Sequence, residues 1–248
     1  MDRARYLQRI GYHGSLSPTA QTLSALQQAH LLSVPFENLD ISLGRPIELD
    51  ETALFEKIVQ RRRGGFCYEL NGLFAALLRD LGYSVTLLSA QVAHKNGGFG
   101  PPFDHLALLV TLEEPWLVDV GFGDSFRAPL RLEPLREQVQ AEGSYRLIQE
   151  GSLWTWYQQD GTDWQAQYCF TLQPHTLAEF IPMCRYHQTS PQSHFTQGRV
   201  CTLATEDGRV TLSELRLITT VGHERHEQVL AGEDEFHVLL QQRFGISL

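Results

Sequence analysis

Arg63-Gly64-Gly65-Phe66-Cys67-Tyr68-Glu69-Leu70-Asn71-Gly72-Leu73-Phe74-Ala75-Ala76-Leu77-Leu78-Arg79-Asp80-Leu81-Gly82 carries two signals at once. From Cys67 onward, Leu70, Leu73, Phe74, Leu77, Leu78 and Leu81 recur at helical spacing, which predicts one wide apolar stripe, and Gly82 supplies a C-terminal stop. At the other end, Cys67 falls in the first turn of this helix, one residue beyond a glycine pair that ends an earlier one. Backbone N–H groups at a helix start favour a thiolate, so Cys67 is expected to have a lowered pKa and to be nucleophilic. The competing reading of such a residue is a small apolar side chain that fills a gap.

Moving outward, Ser17 reads as an N-cap before Pro18, with Leu23, Leu26 and Ala29 at helical spacing and an end before Pro35. A further helix is expected from the cap Asp50, with Leu54, Ile58 and Val59 on one face and a stop at Gly64-Gly65. After Gly82 the period changes. Residues 83–92, 105–112, 116–120, 144–149, 153–158 and 164–170 are short, β-branched or aromatic runs between turn residues, which predicts an antiparallel barrel or sandwich. The last part reads as strands over 200–205 and 210–219 joined across Asp207-Gly208, then a helix over 234–244.

The chain has 248 residues, 42% hydrophobic and 20% charged, enough for a sizeable core. A net charge of −9 repels nucleic acid and anionic membrane surfaces. No apolar run has the ~20 residues of a membrane span, and the charged start Met1-Asp2-Arg3-Ala4-Arg5 is not a signal peptide, so the cytoplasm is expected. Cys67, Cys169, Cys184 and Cys201 form no C-x-x-C pair; reduced thiols are expected and no metal site is implied.

A nucleophilic cysteine needs a base and, usually, a group that orients it. His105 opens the apolar run Leu106-Ala107-Leu108-Leu109-Val110, and Asp119 sits within Leu117-Val118-Asp119-Val120-Gly121-Phe122-Gly123, where a buried carboxylate requires a partner. Thiol, imidazole and carboxylate in series make a Cys67-His105-Asp119 triad. A two-residue turn at Glu113-Glu114 would set Asp119 opposite Leu108, with side-chain parity opposite to His105. The triad therefore requires a bulge, a wider loop around Pro115, or a His105 outside the regular ladder.

Together, Pro35-Phe36-Glu37-Asn38-Leu39, Arg63-Gly64-Gly65-Phe66-Cys67, the His105 strand and Val118-Asp119-Val120-Gly121-Phe122-Gly123 resemble the arylamine N-acetyltransferases. Ser190-Pro191-Gln192-Ser193-His194-Phe195 and Cys201-Thr202-Leu203-Ala204-Thr205 extend the resemblance over nearly the whole chain. It implies an α+β fold with a cysteine-protease-like Cys-His-Asp core: a helical bundle (1–82) carrying the cysteine, an antiparallel β-barrel (83–183) carrying histidine and aspartate, and an interdomain segment with an α/β lid (184–248). By position it makes Cys67 the acetylated residue and His105 and Asp119 its catalytic partners. Phe36 and Phe122 become aromatic walls of the acceptor pocket, Gly123 a point of close backbone approach, and Glu37 and Arg63 an ion pair bracing the cysteine loop. The loop over 93–104 has a composition of its own, with Gly97 and Gly98 as backbone donors for a pyrophosphate.

The activity so implied moves acetyl from acetyl-coenzyme A, a consumed co-substrate, through an acetyl-cysteine to an arylamine, arylhydrazine or arylhydroxylamine by ping-pong kinetics. No permanently bound cofactor is implied. The rivals are a cysteine hydrolase or transglutaminase-like enzyme, and a non-catalytic protein that binds coenzyme A or an aromatic ligand. The oligomeric state and the physiological acceptor are not fixed by residue spacing.

Overall fold

Helices α1 (Arg3–Arg9), α2 (Ala20–Ser33), α3 (Leu39–Ser42), α4 (Glu51–Phe55) and α5 (Cys67–Asp80) fill the first part of the chain, with a two-residue strand β1 (Phe36–Glu37) between α2 and α3. This computed structural model describes residues 1–222 and 224–248. The apolar stripe of α5 is its centre: Leu70, Leu73, Phe74, Leu77 and Leu78 are fully buried against α1, α2 and α4. Capping differs from the sequence reading at one end of α2, where Thr19 rather than Ser17 accepts from the backbone N–H of Thr22. Asp50 caps α4 as expected, but α4 continues as a π-helical turn over Glu56–Gln60 and ends before the glycine pair. The chain breaks there because Arg62 takes a left-handed conformation (φ 53°) and the Arg9 guanidinium gathers the carbonyls of Ile58, Arg62 and Arg63. Gly64 serves a different purpose: a Cβ there would lie 2.0 Å from the Pro35 carbonyl oxygen, so only glycine lets the two segments cross.

Eight strands follow in one antiparallel sheet: β2 (Ser84–Val92), β3 (His105–Thr111), β4 (Pro115–Val118), β5 (Leu130–Arg131), β6 (Glu137–Gln140), β7 (Gly143–Glu150), β8 (Leu153–Asp160) and β9 (Asp163–Phe170). Their spatial order is β5-β4-β3-β2-β9-β8-β7-β6, a nearly closed barrel. The seam between β5 and β6 is sewn by side chains. Gln138 both accepts from the Arg131 N–H and donates to the Arg131 carbonyl, and Gln140 bonds Ala128 in the same way. Trp156, Tyr145, Tyr168, Phe126 and Phe170 pack the interior. Strand β3 explains its own sequence. Leu106, Leu108 and Val110 face the helical core and Ala107 faces the barrel core, so both faces are buried and the strand reads as a continuous apolar run.

A 3₁₀ turn (Leu177–Phe180) leads into α6 (Ile181–Thr189) and α7 (His194–Gln197), and Phe180 and Cys184 join the helical core. The C-terminal sheet contains β10 (Val200–Thr205), β11 (Gly208–Ser213), β12 (Arg216–Val221) and β13 (Glu224–Val229), covered by α8 (Glu233–Phe244), whose Phe236, Leu240 and Phe244 are buried. Its order is β1-β10-β11-β12-β13, so Phe36 and Glu37 from the helical part complete this sheet by pairing with Thr202 and Cys201. The single strand expected over 210–219 is two strands, turned at Glu214-Leu215 with Glu214 in a left-handed conformation (φ 48°).

Candidate functional site

Cys67 is the first residue of α5, and its start is fixed from below by charge. The Glu69 carboxylate accepts from the Phe66 N–H and pairs with Lys57 (2.8 Å). Lys57 also pairs with Asp40 (2.7 Å), Asp40 with Arg63 (3.1 Å), and Arg63 with Glu37 (2.8 Å). All five side chains are buried, and Glu37 accepts in addition from the Leu39 N–H. Arg61 and Arg62 are exposed, so only the third arginine of the run enters this network. Removing one member would strand a buried charge.

The connection between β3 and β4 resolves the parity problem. Thr111 pairs with Pro115 and Leu108 with Val118, so three residues, Leu112-Glu113-Glu114, form the loop. Continued by one step, this register sets Asp119 across from Ala107, which shares its strand face with His105. The wider loop is therefore the solution among the three that sequence allowed. His105 Nε2 donates to Asp119 Oδ2 at 2.7 Å, and both side chains are buried. Two neighbours absent from the sequence reading complete the carboxylate's shell: Tyr168 donates to Oδ2 (3.1 Å) and Asn71 to Oδ1 (2.8 Å), while the Gly121 N–H also reaches Oδ1. Asn71 further donates to the Leu106 carbonyl and accepts from the Val120 N–H. One turn beyond Cys67 on the same helix, it ties the cysteine helix to both strands of the His-Asp pair. The available signal was a lone amide on an otherwise apolar helix face.

Cys67 and His105 open onto one cavity of about 310 Å³, with Phe36, Phe122 and Phe195 among its walls. Phe122 stands edge-on to His105 (ring centroids 5.2 Å). Gly123, in a left-handed conformation (φ 91°), lies against Phe36, and a Cβ on Gly121 would sit 2.8 Å from Cys67 Cα. His194 stands at the exposed rim. Gly97 and Gly98 are not brought to this cavity. They form the tip of a tight loop closed by the Ala93–Phe99 bridge, and the Gly97 N–H is already taken by the His94 carbonyl, so it is not the free donor expected.

The expected low pKa of Cys67 requires correction. Burial pushes the thiol well above its ordinary value; the Leu106 backbone acts against this, and the Asp119 carboxylate adds to it. Helix-start amides do not overcome complete burial, so a thiolate needs a proton acceptor beside it. Asp119 occupies His105 Nε2, which leaves Nδ1 as the ring nitrogen available for proton exchange. A larger cavity of about 600 Å³ lies between residues 41–50 and α6, but its thiol, Cys184, is pushed up to about 12 by burial, and no histidine among the described residues lines it. The four cysteines are free and buried, and no helix among the described residues is long and apolar enough to cross a membrane.

Known proteins resemble this chain over nearly its whole length. Residues 19–248 match the N-acetyltransferase family model. The arylamine N-acetyltransferase / N-hydroxyarylamine O-acetyltransferase of Salmonella typhimurium is 41% identical over 93% of this chain and 84% of its own. The arylamine N-acetyltransferase of Escherichia coli is 36% identical over 98% and 88%. A solved structure of the Salmonella typhimurium enzyme superposes with a TM-score of 0.94 at 37% identity, covering 98% of this chain and 90% of that one. That of Mycobacterium marinum arylamine N-acetyltransferase in complex with CoA gives 0.92 at 35%, covering 99% and 93%. By its family match, its relatives and its fold, the chain belongs to the arylamine N-acetyltransferases, and so to the acyltransferases.

Proposed function

We propose that this protein transfers acetyl from acetyl-coenzyme A to aromatic amines, hydrazines or hydroxylamines in two steps through Cys67. The observation that carries the reading is the His105–Asp119 pair, 2.7 Å apart and buried, opening with Cys67 onto one aromatic-walled cavity. In the first step the Cys67 proton passes to His105, and the thiolate attacks the thioester carbonyl. Backbone N–H groups beside Cys67 would stabilise the developing oxyanion. Coenzyme A leaves as its thiolate and takes the proton from His105, which leaves acetyl-Cys67 and a neutral imidazole. In the second step the acceptor nitrogen attacks the acetyl carbon, His105 takes its proton, and Cys67 departs as thiolate and recovers that proton from His105, restoring the starting pair.

Phe36 and Phe122 supply flat apolar surface for an aromatic acceptor, and Gly123 gives it room beside Phe36. Glu37 and Arg63 act through the cysteine loop and touch no reactant in this scheme. Acetyl-coenzyme A is the donor co-substrate, and reduced buried thiols suit a cytoplasmic setting. Initial rates over a grid of donor and acceptor concentrations test the scheme: parallel double-reciprocal lines are expected. Thioester cleavage that ignores the amine would instead assign a hydrolase, and binding without turnover a non-catalytic ligand carrier.

A further inference from the structure

The cavity is apolar on most sides, and its permanent charge is of one sign. Asp104 is the only carboxylate among the described residues that line it, and no lysine or arginine among them does. Asp104 directly precedes His105, and its position is locked. The Tyr68 hydroxyl donates to the carbonyls of Phe103 and Asp104 (2.8 and 3.2 Å). Its Oδ2 is packed against Gly100, where a Cβ would lie 2.6 Å away, and its Oδ1 is 3.2 Å from His187 Nε2. His187 is buried behind the cavity wall with its Nδ1 2.9 Å from Ser193 Oγ, so it stands beside the carboxylate without entering the cavity. At the rim, His194 is pushed below the ordinary histidine value by partial loss of solvation and by His187, while Asp104 acts against this.

We propose that Asp104 makes this acceptor site charge-selective, admitting neutral or cationic aromatic amines and hydrazines and disfavouring aromatic amines that carry a carboxylate. An anionic acceptor would shed water on entry, meet a fixed like charge and find no guanidinium or ammonium to pair with. The proposal rests on the transfer reading above, with the acceptor in this cavity. The test compares kcat/KM for 4-aminobenzamide and 4-aminobenzoate, near-isosteric acceptors of different charge, with acetyl-coenzyme A at neutral pH. Wild type, Asp104→Asn and His194→Lys are the proteins. Wild type is expected to favour the amide by about tenfold or more, Asp104→Asn to narrow that ratio severalfold, and His194→Lys to narrow it by adding a cation at the exposed rim. Because the readout is a ratio, any change in His105 common to both acceptors cancels. Equal kcat/KM values in the wild type, or a ratio that neither variant moves, would overturn the charge selection. Failure of wild type to acetylate even the amide would overturn the transfer reading and this proposal with it.

Discussion

Asn71 shows how far a single residue can govern the site. Its amide holds Asp119, the Leu106 carbonyl and the Val120 N–H, so Asn71→Ala strips one donor from a buried carboxylate and leaves two backbone groups unpaired. A loss of about 1–3 kcal/mol in stability is expected, together with a fall in kcat of about tenfold or more as Asp119 and His105 lose their setting. KM for the donor should stay within about twofold, because Asn71 acts through Asp119 and touches no reactant. Steady-state kinetics beside urea unfolding check this; a variant whose kcat is unchanged would make Asn71 a packing residue only. The side chains proposed to react stand out in the sequence because each breaks a local pattern: a thiol at a helix start, a histidine opening an apolar strand, an acid inside an apolar run. Asn71 and Tyr168 do not, since their roles exist only after α5 and β9 meet the ends of β3 and β4.

Among the elements, the β3–β4 hairpin decides whether the site exists. Its three-residue loop sets the register that gives His105 and Asp119 a common face. Deleting Glu113 would create the two-residue turn, shift the pairing by one residue and turn the Asp119 side chain to the opposite face. We expect a loss of activity by about 10³-fold or more, the scale seen when a triad loses its orienting acid, with far-UV circular dichroism still showing a folded α+β protein. An active deletion variant would contradict the register argument. Turn length was the part of this hairpin that sequence left open, because Leu112-Glu113-Glu114-Pro115 suits several turns. The same blindness merged β11 and β12, where Glu214-Leu215 has none of the glycine, asparagine or proline that marks a tight turn. It also hid β13, an edge strand exposed along its whole length, which offers no alternation of apolar residues to read.

At the scale of the whole molecule, the parts are interlocked through groups far apart in sequence. Phe36 and Glu37 complete the C-terminal sheet, Phe180 and Cys184 return to the helical core, and Gln27 of α2 donates to the Phe126 carbonyl beyond β4. Such crossings are invisible to periodicity, which reads one element at a time, whereas the order of helical, β and mixed segments was legible from the change of period after Gly82. Stability should carry one clear pH signature from the helical core. His30 is fully buried, 2.9 Å from the Tyr6 hydroxyl, and burial, with a smaller contribution from Arg9, pushes its pKa down to about 3. Unfolded, it takes a proton below about 6.5. The folded state does not until about 3, so this contribution is intact above 6.5 and is lost as pH falls toward 3, by up to about 1.4 kcal/mol per pH unit. His30→Gln should therefore lose stability less steeply than wild type between about pH 6 and 4.5. Parallel urea-stability profiles for the two proteins would contradict the assignment.

The central claim is that acetyl passes through Cys67. Intact mass after brief exposure to acetyl-coenzyme A without acceptor tests it most directly, with Cys67→Ala alongside. A gain of about 42 Da, one acetyl group, is expected on wild type only, discharged to an added aromatic amine as its acetylated product. A wild type that binds donor but never gains this mass, or a Cys67→Ala variant that gains it equally, would contradict the account.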